Sequence, residues 1–473
     1  MDINNRVPRW RLVLFSFGNF GWMLAAASFG SVITYFYFPP EVEGTTPIPE
    51  LITRAPVLMG LTVLGIILAL SRCFDAITDP LIANMSDRST HKFGRRRVFM
   101  ASALLPFALT TALVFWPPDY ASSTLNVIWV SVCALLAYLF MTMYCIPYGA
   151  LTPELGKTSD DRVFIATCNS IAWALAFAFS QSIWALKGEL ESMGFDAMTA
   201  IRMCAIFFSI VGALAMAVPV LVIDEKKYCD GNQCSEHVFS AMKSAFSNVD
   251  FRMFTLSNLL TCMATFFLET GAIYYVTILM GMSESTASLV MIVMFVCSFA
   301  CYPFVVKLTR RFQKRTMQIF ALVLHGLLMA LIPLCTVLPD AALTGWILIL
   351  LLAIPTAINS ILPTVILADI ARSDGNRTGS HKEGVFFGAM NFNIKLAISL
   401  TSLVFPSLLI IGSASGTPYA TGASITVIVG GGLCLLAALA LKFYDEDRVN
   451  QFLNDVPDRQ DDGEGLKGNL DYS

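Results

Sequence analysis

The chain has 473 residues, 56% of them hydrophobic and only 14% charged, with a formal net charge of −3. A mean hydropathy of +0.67 and a charged fraction well below the roughly 25% of soluble domains exclude a soluble globular protein and point to a membrane protein. Neither balance calls for a nucleic-acid partner.

The first residues, MDINNRVPRWRL, run directly into an apolar stretch without a small-residue cleavage site, so no cleavable signal peptide is expected. Apolar stretches of about 20 residues predict spanning helices. Twelve are read, at roughly 12–38, 57–84, 98–116, 126–150, 163–186, 200–223, 252–280, 283–308, 316–337, 342–371, 386–412 and 420–443. Lys and Arg set the orientation. Arg54, Lys187 and Arg202 fall on the outer side, and Arg72 and Lys395 lie inside apolar runs. Every other Lys and Arg falls in a segment that is cytoplasmic if the N-terminus is inside. The expected fold class is therefore an all-α integral membrane protein with twelve transmembrane helices in two six-helix halves and both termini cytoplasmic. Residues 1–223 would form the first half and 251–445 the second. Residues 224–250 would be a central cytoplasmic loop, and the polar tail 446–473 is expected to be disordered.

The second span carries Arg72, Asp75 and Asp79. Each charge costs roughly 2.5–3.5 kcal/mol at a bilayer centre, so intramembrane ions mark a functional site by default. Asp75 and Asp79 are four apart and share one helix face, with Arg72 one turn earlier. Two carboxylates on one face need an arginine, a proton or a metal cation as partner, and all three stay open. The span ends in a basic loop, Asp87 to Arg97, and the eighth span ends in another, Lys307 to Arg315. This repetition fits a transporter built from two halves with its solute bound between them.

The central loop holds Cys229, Cys234 and His237, which supply three ligands at unusual spacing. They are read as free thiols beside a histidine, and no metal site is expected. The other cysteines fall mostly in apolar runs and act as small hydrophobes. In the seventh span, Glu269 either lines a cavity or pairs with a cation. Asp369, at the end of the tenth span, is expected to be a solvated helix end or a gate salt bridge. Gly384 and Gly388 are expected to allow close packing at the start of the eleventh span. Lys395 lies thirteen residues beyond Lys382, about 20 Å of helix and too deep to snorkel. Its expected partner is the Asp75/Asp79 pair across the interface between halves. The four histidines, His91, His237, His325 and His381, are scattered, so no catalytic residue is expected and a membrane enzyme is disfavoured. No G-x-x-x-x-G-K-[ST] motif occurs, which argues against ATP as the driver.

Four motifs occur in order: R-x-x-D-A-I-x-D-P from Arg72, G-R-R-R from Gly94, I-P-Y-G-A-L-T-P-E from Ile146, and E-G-x-x-F-G with F-x-x-K from Glu383 to Lys395. Together they resemble the glycoside–pentoside–hexuronide:cation symporters, the melibiose-permease branch of the major facilitator superfamily. The resemblance covers nearly the whole chain. It implies an alternating-access symporter whose partners are the lipid bilayer, a small solute and a monovalent cation. It implies no cofactor beyond the coupling ion, H+ or Na+. A monomer in the bacterial inner membrane is expected.

Carried over by motif, the cation site falls on Asp75, Thr78, Asp79 and Thr142, with Arg72 beside it and Lys395 as the basic partner. Asp87, Gly94, Arg95 and Arg96 resemble the superfamily's cytoplasmic gate signature. Where melibiose permease has acidic residues on helices 1 and 4 and an arginine on helix 5, this chain has Met23, Cys145 and Asn169. With Trp22, Tyr144, Tyr148 and Glu269, these form the expected substrate pocket. The lost charges leave a less polar pocket, suited to stacking and amide hydrogen bonds with a sugar, or to a less hydroxylated solute such as a lysolipid. Loss of the helix-4 carboxylate favours a proton over sodium.

Overall fold

A computed structural model of the protein describes residues 7–40, 48–229, 246–309, 311–378, 383–413 and 418–454. Helix α1 (Arg9–Tyr37) is followed by a small antiparallel hairpin, β1 (Pro56–Leu58) and β2 (Leu61–Thr62). Then come α2 (Val63–Arg88), α3 (Arg97–Leu113), α4 (Thr124–Leu155), α5 (Ser159–Gln181), α6 (Ile183–Ser192), α7 (Ala197–Val222) and the short α8 (Glu225–Tyr228). After the central segment follow α9 (Val249–Tyr274), α10 (Glu284–Thr309), α11 (Lys314–Leu331), α12 (Ala341–Thr378), α13 (Glu383–Leu409), α14 (Ala420–Leu441) and α15 (Glu446–Asn454). A π-helical turn, Tyr275–Leu279, extends α9.

The helices start where side chains can take up orphan backbone N–H groups. Thr62 caps α2, Ser123 caps α4, Thr158 caps α5, Asp196 caps α7 and Asn248 caps α9. Among the described residues, ten helices are long and apolar enough to cross a membrane, counting α5 and α6 together. Helix α2 is long enough but carries Arg72, Asp75, Asp79, Asp87 and Arg88, and α3 has only 17 residues. Both pack in the bundle regardless, α2 against α4 and α13, and α3 against α4 and α7.

The helices of residues 9–228 and those of 249–454 are taken as two groups that meet along α2–α13 and α6–α10. In one, α1 lies on α5 and α7, and α4 lies on α2 and α3; in the other, α9 lies on α13 and α14, and α12 lies on α10 and α11. Close approaches use small residues. A Cβ on Gly212 would sit 3.0 Å from the Gly21 carbonyl oxygen, and a Cβ on Gly431 would sit 2.7 Å from that of Gly326. One clamp occurs twice. The Glu225 carboxylate, just past α7, accepts from the Arg96 and Arg97 backbone N–H groups (both 3.0 Å to Oε2). Glu446, just past α14, accepts from the Lys314 and Arg315 N–H groups (3.0 and 2.8 Å). Each carboxylate sits at a helix N-terminus, where backbone dipoles favour negative charge.

Three expectations change. Residues 446–454, assigned to the polar tail, form helix α15, docked by Arg448 on Asp250 (Nε to Oδ2, 2.9 Å) and by Asn376 on the Phe452 carbonyl (3.0 Å). An amphipathic turn with such partners is ordered despite its polarity; the rest of the tail lies outside the described residues. The fifth span is broken at Ser182 and continues to Ser192, so Lys187 is buried in α6. Gly384 and Gly388 face open space instead of close packing.

Candidate functional site

The far ends of α1 and α9 meet where Tyr274 donates to the Phe38 carbonyl (2.8 Å), so their starts share the opposite end of the bundle, here the terminus end, where Arg11 reaches Tyr228 (3.1 Å) and Arg448 reaches Asp250. Every contact between the two helix groups that joins described residues through a hydrogen bond, ion pair or ring lies in the middle or toward the far end. The midpoint contact is ionic. Lys395 Nζ on α13 lies 2.6 Å from Asp79 Oδ2 and 2.9 Å from Asp75 Oδ2, both on α2. Asp75 is fully buried, whereas the side chains of Lys395 and Asp79 keep about a quarter of their exposure (24% and 25%). One lysine thus bridges both carboxylates, and the i, i+4 spacing is what allows it.

The surroundings are less complete. Thr142 Oγ1 on α4 donates to Asp75 Oδ1. Arg72 Nη1 is 3.9 Å from Asp75 Oδ2, and its guanidinium lies 4.1 Å from the Tyr138 ring centroid. Among the described residues, Asp75 Oδ2, Asp79 Oδ1 and Arg72 Nε have no hydrogen-bond partner, although the Lys395 charge is close to the first. Buried polar atoms are normally paired, so orphaned oxygens at one point are exceptions that need a reason. The Thr78 hydroxyl bonds back to the Asp75 carbonyl (3.0 Å) and is not aimed between the carboxylates. Cys73 and Ser399 (3.6 Å), with Ser399 on the Ala69 carbonyl (3.2 Å), hold α2 on α13 farther out.

The expected solute residues divide. Trp22 Nε1 donates to Asn19 Oδ1 (3.0 Å), and Asn19 Nδ2 donates to the Asn169 carbonyl (2.8 Å). Tyr148 Oη lies 2.9 Å from Asn169 Oδ1 and 3.0 Å from the Phe15 carbonyl, so its single hydrogen serves either. These bonds leave the Asn169 amide hydrogens uncommitted among the described residues. Met23 is half-buried beside this network. Tyr144 is different: fully buried, it donates to the Met216 carbonyl (2.9 Å) and ties α4 to α7. In the other group, Asn258, Cys262, Thr265 and Glu269 recur at helical spacing on one face of α9. Glu269 is half-buried and has no hydrogen bond or ion pair with another described residue.

At the terminus end, Arg96 reaches Asp87 (Nη2 to Oδ1, 2.9 Å) and Glu154 (Nη1 to Oε1, 2.5 Å), and Arg95 also reaches Glu154 (2.9 Å). Burial opposes the Arg96 charge, but the bonds to Asp87 and Glu154 outweigh it and hold its pKa above the ordinary arginine value. Gly94 adopts φ +111°, open to glycine, and a Cβ there would meet Glu225. Asp369 pairs with Lys314 inside its own helix group. No group of metal-ligating side chains occurs among the described residues. Cys234 and His237 lie outside them.

Sequence reasoning missed Asn19, Tyr138, Ser399 and Glu225. Asn19 carries a usable signal, being polar and one turn from Met23 in an apolar run.

The family described as MFS/sugar transport protein matches residues 14–447. The uncharacterized symporter sll1374 of Synechocystis is 34% identical over 121 residues, 24% of this chain and 22% of that relative. The uncharacterized symporter YnaJ of Bacillus subtilis is 22% identical over 429 residues, 84% of this chain and 86% of that relative. The sodium-dependent lysophosphatidylcholine symporter 1 of Xenopus tropicalis is 34% identical over 99 residues, covering 21% of this chain and 19% of the relative. Among solved structures, the nucleoside transporter NupG superposes with a TM-score of 0.63 at 11% identity, covering 92% of this chain and 98% of that one. A D-xylose-proton symporter superposes with a TM-score of 0.62 at 14% identity, covering 93% and 98%. The shared fold is that of the major facilitator transporters.

Proposed function

The chain belongs to the MFS/sugar transport protein family, as a multi-pass membrane protein and a secondary transporter of the bacterial inner membrane, and from that premise we propose that it couples entry of a monovalent cation to uptake of a sugar or glycoside. In this reading all twelve segments span the bilayer, α2 and α3 included and α5–α6 counted as one. Both termini are cytoplasmic, and the two helix groups rock as units, 1–223 against 251–445.

The observation that carries the proposal is Lys395 bridging Asp75 and Asp79 across the two groups. The carboxylates hold two negative charges, and Lys395 and Arg72 offset them. A proton or sodium ion entering there meets Asp79 Oδ1, which has no hydrogen-bond partner among the described residues, and Asp75 Oδ2, whose contact is the Lys395 charge. Carboxylate and hydroxyl oxygens suit a hard cation, and paired carboxylates also suit a proton. Either ion takes over the role of Lys395 and frees it, which loosens α2 from α13. Cation occupancy then acts on the same helix pair that must part for the molecule to turn inside out. Thr142 holds Asp75 in place, and the Thr78 hydroxyl is taken up by its own helix backbone.

The solute is held by Trp22, Asn169 and Glu269, with Asn19 and Tyr148 orienting the first two. A stacking ring, an amide and an unpaired carboxyl fit a polyhydroxylated ring. A second reading, a lysolipid, draws on the similarity to the lysophosphatidylcholine symporter and on the uncharged Met23 and Cys145. Uptake in proteoliposomes of a panel of glycosides, pentoses, uronates and lysolipids separates the two. Saturable entry of one sugar class supports the first reading; entry of lysolipid alone replaces it.

A further inference from the structure

Helices α5 and α6 belong to one apolar segment, Asp160–Ser192, yet the helix breaks at Ser182. In an unbroken helix the Gln181 carbonyl accepts from the Ala185 N–H, four residues on. Here a side chain from the other helix group stands between them. Ser288 Oγ on α10 accepts from Ala185 N (2.9 Å) and donates to the Gln181 carbonyl (2.5 Å). Insertion of a side chain into the backbone ladder is a recognised cause of a helix break.

The break is sealed by charge. Lys187, half a turn beyond Ala185, is 1% exposed and pairs with Glu284, one turn before Ser288 on α10. Lys187 Nζ also lies 2.9 Å from Glu191 Oε1. Tyr35 on α1 donates to Glu284. A Cβ on Gly188 would sit 3.3 Å from Ser285 Cβ, so the backbones of α6 and α10 run close together.

We propose that Ser288, Lys187, Glu284 and Tyr35 form the latch that closes the far end of the transporter, and that opening it heals the α5–α6 helix. The backbone groups, Lys187 and Glu284 each have a second favourable setting. The Gln181 carbonyl and Ala185 N–H bond each other, so no backbone group is orphaned inside the membrane. Lys187 keeps Glu191 at i+4. Glu284 stays in the first turn of α10, where the helix dipole favours a carboxylate. The segment therefore has two satisfied arrangements, one latched and one continuous, which is what a bistable element requires. With the latch closed, the hydrogen bonds and ion pairs between described residues of the two groups include Lys395 with Asp75 and Asp79 at the middle and Tyr274 with the Phe38 carbonyl at the far end.

The inference rests on the chain being an alternating transporter, not on its solute or coupling ion. Hydrogen–deuterium exchange of the full-length protein in lipid nanodiscs, without solute, tests it on wild type, Glu284→Gln and Ser288→Ala. In Glu284→Gln, peptides covering 187–192 and 284–292 exchange several-fold faster, while the 181–186 peptide is protected as the ladder closes. Peptides covering 88–97 and 153–162, at the opposite end, exchange more slowly as that end closes. Ser288→Ala gives the same slowing at the terminus end and the same protection of its 181–186 peptide, because the ladder closes. Faster exchange at the far end with no response at the terminus end means local loosening only and overturns the latch, as does no change at either end. If Glu284→Gln fails to fold, Ser288→Ala, which loses one hydroxyl, decides alone.

Discussion

Lys395 and Lys187 are both lysines inside the bundle that cross from one helix group to the other, and their surroundings differ. Lys187 is 1% exposed, and Glu284, its partner, is also held by Tyr35. Lys395 keeps a quarter of its exposure and faces two carboxylates, of which Asp79 retains an oxygen without a hydrogen-bond partner among the described residues. A saturated cluster gains nothing from a visiting ion and is suited to holding. An unsaturated one has room for a cation and is suited to exchange. The same residue type serves two ends because its partners are counted differently.

Substitutions break this comparison in a graded way. The largest effect is expected for Asp79→Asn, which removes the negative charge shared with Lys395: gradient-driven uptake falls to background while the purified protein keeps its elution profile. Lys395→Ala comes next. Removing one partner of a buried ion pair costs about 3–5 kcal/mol, so a lower melting temperature and weak uptake are expected, with partial recovery in Lys395→Arg. Glu284→Gln destabilises less than that, because Lys187 retains Glu191; a melting curve ranks the two variants. Asn19→Ala removes two hydrogen bonds, to Trp22 and to Asn169, each worth about 1 kcal/mol. It raises the half-saturation concentration for solute about fivefold and leaves the cation dependence unchanged. An equal shift in both would place Asn19 in the cation site instead.

The two clusters were unequally legible. Asp75, Asp79 and Lys395 stand out because a charge in an apolar run is expensive and needs a partner, and i, i+4 spacing puts the carboxylates together. Lys187 follows the apolar run of the fifth span and precedes Glu189 and Glu191, so it reads as a charge at the membrane surface. Only the continuation of the helix to Ser192 buries it. Ser288 has no sequence signal, since a serine within a helix more often bonds its own backbone, as Thr78 does here. Tyr144 and Tyr148 sit four apart and look equivalent, yet one faces the α7 backbone and the other reaches Asn169. Which neighbour meets a helix face is a matter of tertiary packing. The helices themselves were legible from hydropathy, α2 included, although its ionic residues lower its apolarity.

The central claim is that the Asp75–Asp79–Lys395 cluster couples a cation gradient to solute movement. The most direct measurement is solute accumulation in proteoliposomes under an imposed sodium or proton gradient, for wild type beside Asp79→Asn. The account predicts concentrative uptake under one of the two gradients and none in the variant. Accumulation by Asp79→Asn at the wild-type level would contradict it.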